Sequence, residues 1–444
     1  MSALSEAIEA GFPAVVADLV SLARIPSVSA EGHDTPGMRA AADRVASLLA
    51  GAGLSVRLLE APEAPPIVFA ERPGPAGAPV VLLYAHYDVQ PAGDLASWTT
   101  PPFEPAERNG RLYGRGASDD KAGLATHLGA LRALPADLPL HIKVIVEGEE
   151  ELGSPHVAAF LARYPEELRA DVIVVADSEH WRVGTPALTT SLRGLVDCTV
   201  EVRTLRNGVH SGQFGGAIPD ALSALSRLLA TLHDDAGRVA IVGLVSAAAP
   251  DVDLPEADLR SSAGVVDGVS LIGAGPLAAR LWREPAVSIL AIDAPRLSEA
   301  INQLVPVATA KVSLRLAPGQ APTLAMDALV AHLEGHAPWG AQVTVTRGSS
   351  SEPFMMSAGG PAYEAFRAGL HEAWGTEPSE IGVGGSIPLV AELSRAYPSA
   401  EILLTGVGEP TSAIHGPNES QDLGELRRAC LAEAIALSRL AGRG

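Results

Sequence analysis

The composition excludes several classes of protein. A chain of 444 residues with 47% hydrophobic and only 19% charged residues is too apolar to be disordered and is long enough for two domains. Its formal net charge of −20 would repel nucleic acids and anionic membranes, whereas metal cations would be attracted. Two distant cysteines, Cys198 and Cys430, predict neither a disulfide framework nor a thiolate zinc site, and they indicate a reducing, cytoplasmic compartment.

The first 180 residues alternate helical and strand-like segments. The chain opens with an amphipathic helix that carries Glu6, Glu9 and Asp18, so we expect no signal peptide. We also expect no membrane span, because the longest uncharged run, around VAIVGLVSAAAP, is shorter than the ~20 apolar residues that a span requires. The helical stretches GMRAAADRVASLLAGAG and KAGLATHLGALRAL then alternate with the apolar runs SVRLLEA, VVLLYAH, HIKVIVEG and DVIVVADS. This alternation predicts an α/β domain with a mostly parallel sheet flanked by helices, in which ligands bind at the carboxyl ends of the strands.

The pattern changes between residues 189 and 350. The segments LVDCTVEVRT and VATAKVSLRLAP alternate apolar and polar residues with a period of two, which predicts a sheet with one solvated face. After residue 351 the helix PAYEAFRAGLHEAW, the strand AEILLTGV and the terminal helix LGELRRACLAEAIALSRLAG return to the first pattern. We therefore predict one domain built from residues 1–188 and 351–444, with an α+β domain of residues 189–350 inserted into it.

Acidic and histidine side chains follow the predicted strands. The run VVLLYAH ends at His86, HIKVIVEG runs into a series of glutamates, and DVIVVADS ends near Asp177. A turn-rich stretch before a helix adds two aspartates, and a loop rich in glycine and proline adds a second histidine. The candidate residues are His86, Asp88, Asp119, Asp120, Glu147, Glu149, Glu150, Glu151, Asp177 and His415.

Each of these features also has a plain structural explanation. An H-x-D at a strand end can be a hydrogen-bonded cap, GEEELGS a solvated acidic turn, and the aspartates helix caps. Their combination in one chain favours a metal centre, because imidazole and carboxylate donors from several loops suit Zn²⁺ or Mn²⁺. Two histidines and at least three carboxylates suffice for two metals that share a carboxylate and lie about 3.5–4 Å apart, so we predict a hydrolase.

Seven motifs of the chain resemble those of the dizinc metallopeptidases. In order they are HYDVQP, LYGRGASDDKAG, EGEEELGS, VVADS, GVHSGQFGG, GGSIP and IHGPNE. The family includes carnosinase-type dipeptidases, succinyl-diaminopimelate desuccinylase, carboxypeptidase G and aminoacylase. The resemblance runs from SLARIPSVS to IHGPNE, and YGRGASDDK followed by EGEEELGS is most similar to the carnosinase-like dipeptidase branch. It implies a catalytic domain with an inserted lid and dimerisation domain.

The resemblance implies two Zn²⁺ ions per subunit, for which Mn²⁺ or Co²⁺ could substitute. The implied ligands are His86 and Asp177 for one ion, Glu151 and His415 for the other, and Asp119 as the bridge between them.

The resemblance also implies roles for residues beside the ligands. Glu150 matches the general base that takes a proton from water and passes it to the leaving amine. Asp88 matches the carboxylate that orients the His86 ring. The family also has a non-proline cis peptide bond, which here would join Asp119 and Asp120.

The inserted domain is implied to hold the substrate contacts. His210 in GVHSGQFGG matches a histidine that reaches the active site of the partner subunit and stabilises the tetrahedral oxyanion, so activity would require a homodimer. Arg315 and Asn302 match ligands of the substrate carboxylate, a group that suits the forked guanidinium of arginine. Ser386 in GGSIP matches a residue that hydrogen-bonds the same end of the substrate.

One position departs from the dipeptidase pattern. Where carnosinase-type enzymes commonly have a glutamate suited to a free α-amino group, this chain has Val383. The predicted activity is hydrolysis of the amide bond of a dipeptide, or of a dipeptide-like substrate, with a free carboxylate. An N-acyl amino acid deacylase is the alternative, because it shares the chemistry and differs only in the pocket. A metal-binding scaffold without activity is the remaining hypothesis.

Overall fold

The computed structural model describes residues 3–356, 359–385 and 387–442, so Ser386 lies outside the described residues. The chain divides into two units. Unit 1 consists of Met1–Thr190, Met356–Ile381 and Ile387–Gly444, and unit 2 of Ser191–Met355 and Gly382–Ser386. Within the described ranges no helix is both long and apolar enough to cross a membrane.

The described residues form helices and strands along the whole chain. The α-helices are α1 (Ala3–Ala23), α2 (Pro36–Gly51), α3 (Lys121–Ala133), α4 (Val157–Arg163), α5 (Pro165–Leu168), α6 (Ser211–Phe214), α7 (Ala221–Ala230), α8 (Glu256–Ser262), α9 (Leu277–Trp282), α10 (Pro322–Gly335), α11 (Pro361–Trp374), α12 (Pro388–Ala396) and α13 (Leu423–Ala441). The strands are β1 (Ser55–Leu59), β2 (Ile67–Arg72), β3 (Val80–His86), β4 (Ala106–Arg108), β5 (Arg111–Tyr113), β6 (His141–Glu147), β7 (Val172–Val175), β8 (Ala187–Leu192), β9 (Gly194–Arg203), β10 (Val209–His210), β11 (Ala286–Asp293), β12 (Gln303–Leu304), β13 (Val307–Leu316), β14 (Gln342–Ser351), β15 (Phe354–Met355), β16 (Ser379–Val383), β17 (Glu401–Leu404) and β18 (Ser420–Asp422). Short 3₁₀ turns occupy Ser29–Glu31, Leu95–Ser97, Glu150–Leu152, Leu297–Glu299 and Pro338–Gly340.

Unit 1 is built on a sheet in which the strands follow the order β1-β2-β6-β3-β7-β17-β8. The central strands β6, β3, β7 and β17 are parallel to one another. Strands β1, β2 and β8 pair antiparallel with their neighbours. Helix α2 packs on β2, α3 on β3 and α11 on β17. The predicted α/β class with a mostly parallel sheet is confirmed, although β1 joins the sheet through β2, which is absent from the predicted strands.

Unit 2 contains a 4-stranded antiparallel sheet with the order β11-β13-β9-β14. Residues of β9 and β13 alternate between buried and partly buried, as expected for strands with a period of two. Helix α7 packs on β9 and β13, and α10 packs on β9 and β14. The core between them includes Val200, Leu228, Val312 and Leu329. Unit 2 thus has the α+β composition expected for the inserted segment.

A 3-stranded sheet, β18-β5-β4, pairs distant parts of the sequence of unit 1. Ser420 in β18 lies opposite Tyr113 in β5. Helix α13 begins directly after β18, where the Asp422 carboxylate accepts a hydrogen bond from the backbone N–H of Glu425 and caps the helix. This pairing places the segment that follows His415 beside the segment that precedes Asp119.

Candidate metal centre

The ends of three neighbouring parallel strands meet at one edge of the unit 1 sheet. His86 at the end of β3 lies opposite Glu147 at the end of β6, and β7 runs parallel to β3 on its other side. Because the carboxyl ends of parallel strands share an edge, the polar residues that follow them come together. They include the fully buried His86, the 3₁₀ turn Glu150–Leu152 after β6, and Asp177 after β7.

Asp119 lies between two histidines. Its Oδ1 is 3.0 Å from Nε2 of His86, and its Oδ2 is 2.9 Å from Nε2 of His415. Nε2 of His415 is also 3.1 Å from Oε2 of Glu151, and Nε2 of His86 is 4.0 Å from Oδ1 of Asp177. One carboxylate therefore connects two groups of nitrogen and oxygen donors.

The donors form two ligand triads. In each triad the candidate ligand atoms lie within 4.8 Å of one another; the His86 triad is His86, Glu150 and Asp177, and the His415 triad is Asp119, Glu151 and His415. All five predicted ligands and Glu150 are therefore in these triads. The donors are imidazole nitrogens and carboxylate oxygens, a set that suits Zn²⁺ and Mn²⁺. Neither cysteine takes part, and both are buried as free thiols.

Excess negative charge is concentrated in the two triads. Burial raises the pKa of the Asp177 carboxyl, and the charge of Glu150 raises it further. Burial also raises the pKa of Glu150 to about 7. Hydrogen bonds to Asp119 and Glu151 raise the pKa of the His415 imidazole to about 10. Cations would supply the positive charge that these groups otherwise take up as protons, so the residues fit a metal pair.

Asp88 connects His86 to the loop that follows β6. Its Oδ1 lies 3.3 Å from Nδ1 of His86. Its two carboxylate oxygens accept hydrogen bonds from the backbone N–H groups of Glu150 and Glu151, each at 3.2 Å. A carboxylate at Nδ1 favours the tautomer with the proton on Nδ1, which leaves the Nε2 lone pair of His86 available for a cation.

Two further residues, Asp120 and Gln90, position the ligands. The Asp119–Asp120 peptide bond is cis, as the resemblance implies. The Asp120 carboxylate does not cap α3 but accepts a hydrogen bond from the backbone N–H of His86 at 3.2 Å. Gln90 donates from Nε2 to Oε2 of Glu151 at 2.8 Å, and its backbone N–H donates to Oε1 of Glu151 at 3.1 Å. These contacts fix the side chain of Glu151 and the main chain of His86.

The motifs alone assign no role to Gln90, Arg115 or Glu419. Arg115 and Glu419 form a buried ion pair with a distance of 2.6 Å between Nη1 and Oε2. All three residues lie inside the motifs HYDVQP, LYGRGASDDKAG and IHGPNE. Their position in these motifs is the one sequence signal that suggests a role for them. The charge and spacing of residues in a sequence cannot distinguish a residue that makes a buried contact from a metal ligand.

The predicted substrate contacts are in unit 2. His210 is exposed at the end of β10, and its Nδ1 accepts a hydrogen bond from the backbone N–H of Gly212 at 3.0 Å. Arg315 is partly buried in β13, and burial lowers the pKa of its guanidinium. Asn302 is exposed, and Val383 is the last residue of β16.

The chain is similar to known peptidases. The sequence model of the peptidase family M20/M25/M40 matches residues 82–437. A cysteinylglycine-S-conjugate dipeptidase from Corynebacterium striatum is 39% identical over 364 residues, which cover 80% of this chain and 80% of that protein. A β-Ala-His dipeptidase from Rattus norvegicus is 30% identical over 378 residues, which cover 80% of this chain and 76% of that protein.

The fold is shared with a solved dipeptidase structure. Dug1p from Saccharomyces cerevisiae superposes with a TM-score of 0.82, covering 99% of this chain and 98% of that chain at 21% sequence identity.

Proposed function

Because the chain belongs to the peptidase family M20/M25/M40, we propose that it is a dinuclear metallopeptidase that hydrolyses dipeptides with a free carboxylate. The observation that carries this proposal is the pair of ligand triads connected by Asp119, whose two oxygens face one histidine each. Two relatives that cover most of the chain are named as dipeptidases, one for cysteinylglycine S-conjugates and one for β-Ala-His. The first of these is the more similar in sequence, so S-substituted Cys-Gly is the first substrate to test.

Five side chains would hold two cations. His86 and Asp177 would bind one cation, Glu151 and His415 the other, and Asp119 both. Zn²⁺ is proposed from the resemblance, with Mn²⁺ or Co²⁺ as substitutes, since the donors are nitrogen and oxygen. When bound, such a pair lowers the pKa of water and polarises the carbonyl of the amide.

Glu150 is proposed as the general base. Its carboxylate lies in the His86 triad, and Asp88 holds its backbone N–H. Glu150 would take a proton from water while the water oxygen forms a bond to the carbonyl carbon. It would return this proton to the amine nitrogen as the C–N bond breaks, which releases an amine and a carboxylic acid.

Arg315, Asn302 and Ser386 are proposed to bind the carboxylate of the substrate. The Arg315 guanidinium is partly buried, and this burial lowers its pKa. Among the described residues no carboxylate lies near enough to raise the pKa again. A partly desolvated cation of this kind favours a bidentate carboxylate partner. Arg315→Met should therefore raise KM for the dipeptide more than it lowers kcat.

An N-acyl amino acid deacylase is the second candidate, and Val383 is the observation that favours it. The isopropyl group of Val383 has neither a charge nor a hydrogen-bond acceptor, so it cannot bind the free α-amino group of a dipeptide. Values of kcat/KM for S-methyl-Cys-Gly, β-Ala-His and N-acetyl amino acids, measured side by side with the metal-loaded protein, separate the two activities. Higher values for the dipeptides would support the first candidate, and negligible dipeptide turnover would refute it.

Unit 2 is proposed as a lid and dimerisation domain. Strand β11 lies at the edge of its sheet and exposes Ile289, Leu290 and Ile292. An edge strand with unpaired backbone groups and apolar side chains is suited to pairing with a second copy of the chain. In this homodimer His210 would stabilise the oxyanion in the site of the partner subunit.

Complementation tests the shared site. A His210→Ala chain mixed with an Asp119→Ala chain should regain part of the activity, because one site of each heterodimer would combine intact residues from both chains. Absence of recovery, with subunit exchange demonstrated by tagged chains, would count against the role of His210.

A further inference from the structure

A buried ion pair joins two loops that carry metal ligands. Arg115 and Glu419 are 304 positions apart in the sequence, yet Nη1 of Arg115 lies 2.6 Å from Oε2 of Glu419. Their side chains are 2% and 0% exposed. Asp119 follows Arg115 in the first loop, and His415 precedes Glu419 in the second. We call this pair, which belongs to neither ligand triad, the Arg115–Glu419 clasp.

Glu419 fixes the backbone that leads into Asp119. Besides the Arg115 guanidinium, its Oε2 accepts a hydrogen bond from the backbone N–H of Gly116 at 3.0 Å. Its Oε1 accepts hydrogen bonds from the backbone N–H groups of Ser118 and Asp119, at 2.9 and 3.1 Å. An ionised carboxylate has about four lone-pair sites, so these donors use its full capacity. A neutral amide of the same shape cannot accept all of these hydrogen bonds.

Arg115 extends the clasp to the second loop. Its Nη2 donates to the backbone carbonyl oxygens of His415 at 3.1 Å and Pro91 at 3.2 Å. His415 has a φ of 64°, a left-handed conformation that residues other than glycine seldom adopt. Such a conformation persists where surrounding contacts hold it in place. The guanidinium therefore supports the backbone that presents the His415 imidazole.

We propose that Arg115 and Glu419 are positioning residues that set the affinity of the His415 triad for its cation. The clasp holds the backbones of Asp119 and His415, which are two members of that triad, and Oδ2 of Asp119 lies 2.9 Å from Nε2 of His415. A displacement of either loop would change this spacing. The inference rests on the proposed function, since it assumes that the triad binds a metal.

Glu419→Gln tests the clasp through metal binding. The glutamine amide has an N–H group where the carboxylate has an oxygen that accepts hydrogen bonds from backbone N–H groups. Part of the first loop therefore loses its hydrogen bonds to residue 419. Changes to groups that orient ligands typically weaken metal binding by about 10- to 100-fold. We expect a change of this size in the dissociation constant of one of two Zn²⁺ ions, measured by competition with a chromophoric chelator. The absorption spectrum of the Co²⁺-loaded protein should change, and KM at saturating metal should stay at the wild-type value.

Glu425→Gln is the matched control. Glu425 is also 0% exposed, and its carboxylate accepts hydrogen bonds from the backbone N–H of Gly184 at 3.2 Å and from Nε1 of Trp374 at 2.9 Å. It holds no backbone of a triad residue. Its substitution should lower the free energy of unfolding while both metal dissociation constants stay unchanged.

Arg115→Lys repeats the test with the charge retained. Lysine lacks the second nitrogen that reaches the carbonyl oxygens of His415 and Pro91, so we expect weaker binding of the same cation even if Glu419→Gln does not fold. Wild-type dissociation constants in the clasp variants, or an equal loss of affinity in Glu425→Gln, would overturn the proposal. A wild-type protein that binds two cations but hydrolyses no dipeptide would refute the proposed function alone, because the clasp is judged by metal binding.

Discussion

Substitution of Glu150 by glutamine separates a general base from a metal ligand. The question arises because the Glu150 carboxylate lies within 4.8 Å of the donor atoms of His86 and Asp177, as a ligand would. Glutamine retains the shape and an oxygen donor of glutamate but cannot take up a proton. If Glu150 is the base, kcat should fall while the metal content stays the same.

The size of the rate effect follows from general acid–base catalysis, and the effect on metal content follows from the ligands that remain. A positioned acid–base group contributes about 10²- to 10⁴-fold to the rate, which corresponds to about 3–5 kcal/mol of transition-state stabilisation. The cation of the His86 triad would retain His86 and Asp177, together with Asp119, whose Oδ1 lies 3.0 Å from Nε2 of His86. Three ligands of this kind suffice for a catalytic zinc site. Loss of the base should therefore not release the metal.

The assay combines kinetics with metal analysis. We would measure kcat and KM for a dipeptide at saturating Zn²⁺, and count metal ions per chain by mass spectrometry after gel filtration. Glu149→Gln is the control, because Glu149 directly precedes Glu150 but lies outside both triads. Its Oε2 is hydrogen-bonded to Nδ1 of His156 at a distance of 2.8 Å. Activity near that of the wild type in Glu150→Gln would refute the role of base. Loss of one metal ion would identify Glu150 as a ligand instead.

Three further predictions concern the surroundings of the site, an acid-sensitive histidine and the edge strand. Asp88→Asn should weaken binding of one cation by about 10- to 100-fold in a chelator competition, because an amide cannot serve both backbone N–H groups and the imidazole; unchanged affinity would contradict the orienting role. Burial lowers the pKa of His180 from 6.5 to about 4, so its unfolded form takes up a proton first as the pH falls. Between pH 6.5 and 4 the wild type should thus lose about 3 kcal/mol of stability relative to His180→Gln in urea unfolding, whereas parallel pH profiles would refute this. If the proposed dimer forms through β11, Leu290→Lys should convert it to a monomer in light scattering. Leu324→Lys is the control and should keep the dimer, because Leu324 lies in α10 and not in β11 but is similarly exposed, at 63% against 62% for Leu290; a dimer in both variants would exclude β11 as the interface.

The strand ends are the part of the site that sequence patterns predict best. The apolar runs that form β3, β6 and β7 can be recognised directly, and parallel strands bring their carboxyl ends to one edge by a general rule. His86, Glu150, Glu151 and Asp177 can therefore be grouped without coordinates. Strands β2, β11 and β14 are absent from the predicted strands. Most residues of β14 are exposed, and its second half is the polar run RGSSS. Strand β11 has the apolar sequence AVSILAID, yet most of its residues are exposed as well, so an apolar run alone does not identify a buried strand.

Hydrogen bonds between distant segments are what the sequence patterns do not reveal. Asp120 precedes a helix and has the residue type of an N-cap, but its carboxylate binds the backbone N–H of His86 instead. Glu419 could equally be a solvated residue after a turn, and only tertiary structure places it against the first ligand loop. Both carboxylates accept hydrogen bonds from backbone N–H groups. The choice of donor depends on contacts across 34 and about 300 positions of sequence.

The two units carry different parts of the proposed reaction. All members of both ligand triads, with Asp88 and the Arg115–Glu419 clasp, belong to unit 1. The proposed substrate contacts, and Val383 at the position that departs from the dipeptidase pattern, belong to unit 2. Substitutions in unit 2 can therefore change which amide is accepted without changing the donors that hold the cations. The donors of the metal centre therefore indicate the chemistry of the chain but not its substrate, and we expect the choice between a dipeptide and an N-acyl amino acid to depend on the residues around Val383.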